Sequence, residues 1–452
     1  MFPLPFLFLR EAEESDVMTG ILAKYRVPLL FIFGTVLYFC ANIQRVAIPG
    51  AVFDELQMKW SLSASQVTAF GACFMYIYAV FQLFVGLFCD RYGGARVIAA
   101  GGLIFVLGGF LFSLADNYYL LCFGRLLTGL GASAFYLGLV AESIRFFKKN
   151  YSIIISVIVM TGYAGGIVAN APFSFAVRLS DLRMVLAGVA VFTLVAYLLY
   201  LAAFREVRKP PVRHDVLFSP GKFLAIMKSR QNWYVFCFSA FNWGLYYSLQ
   251  TVIGKKFLED YCRIPTGTAA VALSVTSVIS SVAGFAYAVG SRKIGDRRRP
   301  FCLLTGFMTF SVFLLLVVLT ALDIRNGMPA LLFFCLASTA SLSSIVIPII
   351  KENNDSQTTG SAIAFSNFLA YILVAIFGNL IGGVLNLFAP EHAGHRLVYS
   401  REAYLAVFGV MLFFAAAVLR WALLIREPGT GREPLSGPQD PPEEDGTPRK
   451  VR

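Results

Sequence analysis

Apolar residues in this chain do not alternate with polar ones; they come in long runs. Twelve runs are long enough to cross a bilayer as helices. They lie near 28–50, 65–88, 97–115, 118–141, 152–176, 184–204, 232–253, 268–289, 301–322, 329–350, 361–387 and 404–425. Helices satisfy their own backbone hydrogen bonds in lipid, so the pattern predicts an all-α integral membrane protein. Two long polar stretches interrupt it. The expected organisation is an N-terminal segment 1–27, a six-helix bundle 28–204, a basic linker 205–231, a second bundle 232–425 and a tail 426–452. The Phe2–Leu9 run is too short to span and has no basic leader, so it does not read as a signal peptide. The Pro- and acid-rich tail reads as disordered.

Composition agrees with the pattern. Of 452 residues, 58% are hydrophobic and only 14% charged, against roughly 25% in soluble domains. The net charge of +12 is spread too thinly for a nucleic-acid face. Its placement reports topology instead. With the N-terminus inside, inner segments hold 27 Lys and Arg, counting Arg420 at the close of the last span, and outer loops hold 9. The positive-inside rule then predicts a multi-pass protein of the plasma (inner) membrane with both termini cytoplasmic. Within the linker, Lys222–Lys228 reads either as a short helix on the anionic leaflet or as part of a solvated connection. Single outer Cys262 excludes an intramolecular outer disulfide.

The two bundles echo each other. Arg91, Gly94 and Arg96 match Arg292, Gly295 and Arg297 at a constant offset of 201. G-x-x-x-G recurs at Gly162 and Gly166, and at Gly378 and Gly382, a spacing that permits close helix approach. Gly86, Asp90, Arg91, Gly93 and Arg96 fit a loop signature after the second span, and Arg125, Gly129 and Gly131 fit a fourth-span signature. In these residues the chain resembles the major facilitator superfamily of secondary transporters, near its organic-anion and organophosphate branches. The resemblance implies twelve helices in two pseudo-symmetric halves, a monomer, and a gate at Gly86, Asp90, Arg91, Gly94 and Arg96. The second copy departs from the pattern, because Ser291 stands where an acid is expected.

Charges inside spans point to function. Arg45 and Arg125 are the firm cases, and no Asp or Glu falls within the spans as drawn; Asp90, Glu142 and Asp323 stand at or beyond their ends. An Arg fork suits carboxylate or phosphate oxygens. Tyr38, Asn42 and Arg45 share one face of span 1, and Asn242, Tyr246 and Gln250 share one face of span 7, with Trp243 and Tyr247 beside them. Tyr38, Asn42, Arg45, Asn242, Tyr246 and Gln250, together with Arg125, form the expected cavity lining; helix packing is the competing reading for the aromatic ones. The resemblance adds that some organic-anion transporters place an Arg in this part of span 1. The second Arg that some of them carry in span 7 is replaced by Gln250 here.

The expected function is therefore secondary active transport of a small organic anion by alternating access, by exchange or with a proton carried on the substrate or on Glu142. Its partners are the anionic substrate and the lipid bilayer. An exporter of lipophilic or cationic compounds is the alternative within transporters, and a non-transporting receptor or assembly factor the alternative outside them. No catalytic motif, cofactor loop or metal site emerges. His214 is isolated in the linker, and Glu391, His392 and His395 are too few for a metal centre. The orientation is directly testable. In a cysteine-free background, Ser219→Cys in the linker should resist a membrane-impermeant maleimide in intact cells and react after permeabilisation; labelling in intact cells would invert the topology.

Overall fold

The computed structural model of the chain describes residues 17–147, 151–204, 224, 226–325, 327–393 and 396–427. The first sixteen residues, most of the basic linker with His214 and Lys222, His395 and the tail from 428 lie outside that set. The described chain is almost wholly helical. Its first set comprises α1 (Val17–Ala47), α2 (Phe53–Trp60), α3 (Ala64–Tyr92), α4 (Gly94–Leu114), α5 (Tyr118–Phe146), α6 (Tyr151–Val168), α7 (Ala171–Leu179) and α8 (Leu182–Phe204). Its second set comprises α9 (Arg230–Ser248), α10 (Gly254–Asp260), α11 (Thr266–Lys293), α12 (Arg299–Ala321), α13 (Met328–Ser338), α14 (Ser343–Asn353), α15 (Ser356–Leu385) and α16 (Arg401–Leu424). A hairpin of β1 (Glu391–Ala393) and β2 (Arg396–Val398) precedes α16.

Among the described residues, ten helices are long and apolar enough to cross a membrane, and α6 with α7, bent by 41°, makes an eleventh. The seventh place is held by α9, a π turn (Leu249–Ile253) and α10 in one continuous run. Asn232, Asn242, Gln250, Lys255 and Lys256 dilute its hydropathy. Side chains start several helices: Ser63 and Gln66 form a capping box on α3, and the Asn117 Oδ1 accepts from Leu120 N on α5.

Two spans are less regular than their apolar runs suggest. The fifth breaks at Asn170, and Pro172 opens the second piece, where its missing N–H costs nothing. The tenth breaks between α13 and α14. There the sequence is Ser338-Thr-Ala-Ser-Leu-Ser-Ser344, whose hydroxyls compete for backbone partners: Ser338 and Thr339 each donate back to a carbonyl three residues earlier.

Within the first set α1 packs against α6 and α8; within the second α9 packs against α15 and α16. Across the sets, α3 lies on α15 and α6 on α11. The two ends of the bundle differ. The basic end carries residues 92–96 and 292–299; the far end carries 49–63, 254–265 and 391–400. The far end is sealed. A Cβ at Gly382 would run into Thr68 Oγ1, so α3 and α15 meet there at glycine distance. Asn386 and Ser65 exchange two hydrogen bonds, 2.6 Å between side chains and 3.2 Å to the Ser65 N–H. Lys256 of α10, almost fully buried, pairs with Asp54 of α2 and with Asp260 at 3.2 Å, and donates to the Leu397 carbonyl at 2.6 Å. Lys255 donates to the Ala51 carbonyl at 2.5 Å.

Gly382→Leu should hold the far end open. With Ser65→Cys and Asn386→Cys in a cysteine-free background, oxidative cross-linking should be efficient with Gly382 in place. It should fall by at least about fivefold with Leu, since an over-packed helix contact costs roughly 1–3 kcal/mol.

Candidate functional site

A cavity of 260 Å³ lies between the two helix sets. Its blind end is Arg45. The guanidinium donates through Nη1 to the Tyr371 hydroxyl at 3.1 Å and through Nη2 to Asn42 Oδ1. Asn42 is oriented in turn by its donation to the Tyr38 carbonyl at 2.8 Å. Three rings surround the guanidinium: Tyr371, Tyr247 and Tyr78, with centroids 5.6, 5.7 and 5.8 Å away. Its Nε–H is buried without a hydrogen-bond partner. Among the described residues no carboxylate pairs with Arg45, and none lines the cavity. Tyr78 and Tyr371 each stand fourteen residues from the far ends of α3 and α15, which at the helical rise is about 21 Å. Arg45 is therefore held near mid-depth.

From Arg45 the cavity runs toward the basic end. Val159 of α6, Ile350 of α14 and Ile363 of α15 line it, and each lies nearer the basic end of its helix than the far end. Tyr163 hydrogen-bonds Ser341 at 3.1 Å, joining α6 to the break in the tenth span. Thus the break contributes Ala340, Ser341 and Leu342 to the wall. A larger recess of 440 Å³ among Gln231, Tyr234, Arg299 and residues 423–427 belongs to the second set alone and lies at the surface of the basic end.

Of the residues expected from sequence, the structure brings Tyr38, Asn42 and Arg45 together in the lining, with Trp243 opposite. Arg125, Asn242, Tyr246 and Gln250 are placed elsewhere. Arg125 is fully buried and donates to the carbonyls of Gln44 at 3.1 Å and Ile48 at 3.5 Å, with Phe74 4.6 Å from its guanidinium. Those carbonyls lie at the C-terminal end of α1, where the last turn has no intrahelical partners and the dipole is negative. Arg125 therefore caps the helix that carries Arg45. Asn242 donates to the Thr339 carbonyl at 2.7 Å and accepts from Thr309 at 2.5 Å. The Tyr246 and Ser280 hydroxyls bond at 3.0 Å, and Gln250 donates to Ser277 at 2.7 Å. These three knit span 7 into the second set.

The loop signature after the second span is a structural turn. Gly93 closes α3 at φ +85° and Gly94 starts α4, so tightly against Gly138 that a Cβ would meet its carbonyl. Glu142 of α5 accepts from Ala95 N at 2.8 Å at the N-terminus of α4 and pairs with Arg145 at 3.2 Å. Arg91 lies over Tyr92, Arg96 reaches the Tyr92 carbonyl at 3.4 Å, and nothing packs where a Gly86 Cβ would point. The matching left-handed glycine in the second copy is Gly295, at φ +73°. Gly295 thus shares its positive φ with Gly93, one position from its sequence match.

A family model described as Major Facilitator Superfamily matches residues 30–378. The chain belongs to the major facilitator superfamily. No curated protein matches it. Solved structures agree on the fold. A bacterial homologue of the human lysosomal transporter Spinster, inward-facing both unoccupied and occupied, has a TM-score of 0.68 at 15% identity over 89% of this chain and 97% of that one. A peptide transporter, POT, in complex with sulfate has 0.69 at 13% identity over 89% and 93%. At such identities the likeness shows the fold alone. This facilitator-superfamily protein is thus a multi-pass membrane transporter, and its substrate is read from its own cavity.

Sequence reasoning missed Tyr78, Gln82, Tyr136, Tyr163, Tyr371 and the serines of the break. The tyrosines are scattered through spans rich in Phe, where a hydroxyl leaves no periodic mark. The far-end ion cluster was findable: Lys255–Glu259 and Lys256–Asp260 stand at i,i+4. The two arginines should separate experimentally. Arg125→Met should lower the Tm of the purified transporter, because two buried carbonyls lose a charged donor at about 1–3 kcal/mol. Arg45→Met should leave Tm equal or higher and remove the ligand response instead.

Proposed function

We propose that this facilitator-superfamily transporter carries a small organic anion by alternating access, with Arg45 as its electrostatic anchor. The observation that carries the reading is a guanidinium near mid-depth with an unpartnered Nε–H, a cavity in front of it and no carboxylate among the described residues of the lining. A bound carboxylate would take the Nε–H and a neighbouring Nη–H as a pair. Tyr38, Asn42, Tyr78 and Tyr371 fix the fork. Arg125 serves indirectly, by capping α1.

The conformation described has its far end sealed and its cavity extending toward the basic end. On the positive-inside reading the basic end is cytoplasmic, so this is the inward-facing state of a monomer in the inner membrane. Asp90, Arg91 and Arg96 then stand on the side that closes when the far end opens. The lining does not favour an exporter of cations, because such a ligand would meet Arg45 and no acid.

Binding is checked by thermal shift of purified protein against benzoate, succinate, phenyl phosphate and tetraphenylphosphonium. At least one anion should raise Tm in the native protein and fail to do so in Arg45→Gln. Removing one partner of a desolvated charged pair costs about 2–5 kcal/mol, so affinity should fall by at least about thirtyfold. Stabilisation by tetraphenylphosphonium and by no anion would overturn the reading.

A further inference from the structure

The cavity says more than the sign of its ligand's charge. Among the described residues Arg45 is the one cation in the lining, and no Lys, His or second Arg faces the space. A dianion would bring in a second charge with nothing to meet it, and an uncompensated buried charge is costly. An α-ammonium group has no carboxylate to pair with and would share the space with Arg45. Both arguments select a single negative charge.

The space beyond Arg45 selects what that charge is attached to. Tyr38 and Tyr136 stand with centroids 5.7 Å apart, and Tyr78 meets Tyr371 edge-on at 4.7 Å. Past them, toward the basic end, comes a collar of Val159, Val346, Ile347, Ile350 and Ile363. Aromatic walls receive a ring by offset or edge-on contact, and an aliphatic collar rewards apolar area. A hydroxyl set against any of these five aliphatic side chains would be left unpaired. Gln82, Ser239, Ser341, Ser343, Ser366 and Asn367 share the lining and can pair with polar substituents on that body. At 260 Å³ the space is just below the range of about 300–1,000 Å³ usual for small-molecule sites, so the body is small.

We infer that the substrate is a monocarboxylate bearing one aromatic ring or a short branched apolar chain, seated carboxylate-first on Arg45 with its body in the collar. This rests on the anion reading above and narrows it. The test is uptake of radiolabelled phenylacetate by proteoliposomes holding the full chain, with unlabelled competitors. Phenylacetate and 4-methylpentanoate should compete at least about tenfold better than succinate, phenylalanine or phenyl phosphate, the scale on which a well-fitted apolar pocket discriminates. Equal competition by succinate or phenyl phosphate, abolished by Arg45→Gln, would overturn the monocarboxylate inference and leave the anion reading standing. Competition by benzylamine and by no anion would overturn both. Ile363→Asn, which puts an amide into the collar, should lower the ratio of phenylacetate to acetate affinity by about tenfold. An unchanged ratio would overturn the placement of the body.

Discussion

A positive charge near the middle of a membrane bundle must be compensated, and the site is built on how Arg45 meets that requirement only in part. Cation–π contacts contribute about 0.5–2 kcal/mol each, and three tyrosine rings surround the guanidinium. Asn42 and Tyr371 accept one hydrogen bond apiece. A guanidinium has five N–H donors, so donors remain, and among the described residues no carboxylate neutralises the charge. Arg125 shows the contrast. Equally buried, and with its own Nε–H also unpartnered, it directs its two Nη donors to the orphan carbonyls at the end of α1 and does not line the cavity. The same residue type serves once as structure and once as an electrostatic vacancy. The difference lies in whether a helix end is within reach.

This division explains what could be read from the chain alone. Spans follow from burial and length, which are properties of single segments, so the apolar runs locate them. Charged residues inside a span are rare enough that Arg45 and Arg125 stand out. What a span-by-span reading lacks is the neighbour that answers each polar group. Asn242 and Gln250 make the same stripe as Asn42 and Arg45, yet their partners Thr309, Thr339 and Ser277 turn them inward. The break between α13 and α14 was written in a run of small hydroxyl residues that hydropathy averages away. The tyrosine cage is assembled from α1, α3, α5, α6, α9 and α15, which only the folded bundle brings together.

The far-end seal obeys a second constraint: it must hold one state without locking it. Breaking a buried ion pair by removing one partner costs about 3–5 kcal/mol, which would be prohibitive if Lys256 had Asp54 alone. It has Asp260 as well, one turn along its own helix, with Tyr404 and the Tyr399 N–H already on the same carboxylate at 2.8 and 3.2 Å. Separating the helix sets there takes Asp54 away into water and leaves Lys256 its second anion. The charged part of the seal is thus an exchange of one partner. The rest is close packing at Gly382, the charged donation of Lys255 to the Ala51 carbonyl at about 1.5–3 kcal/mol, and a few neutral hydrogen bonds of about 0.5–1.5 kcal/mol each. Arg45 is itself tied to both helix sets, to Asn42 on one side and to Tyr371 on the other. The proposed anion would therefore act on the same boundary that the far-end contacts divide, and a ligand can shift only an equilibrium whose two states it contacts differently.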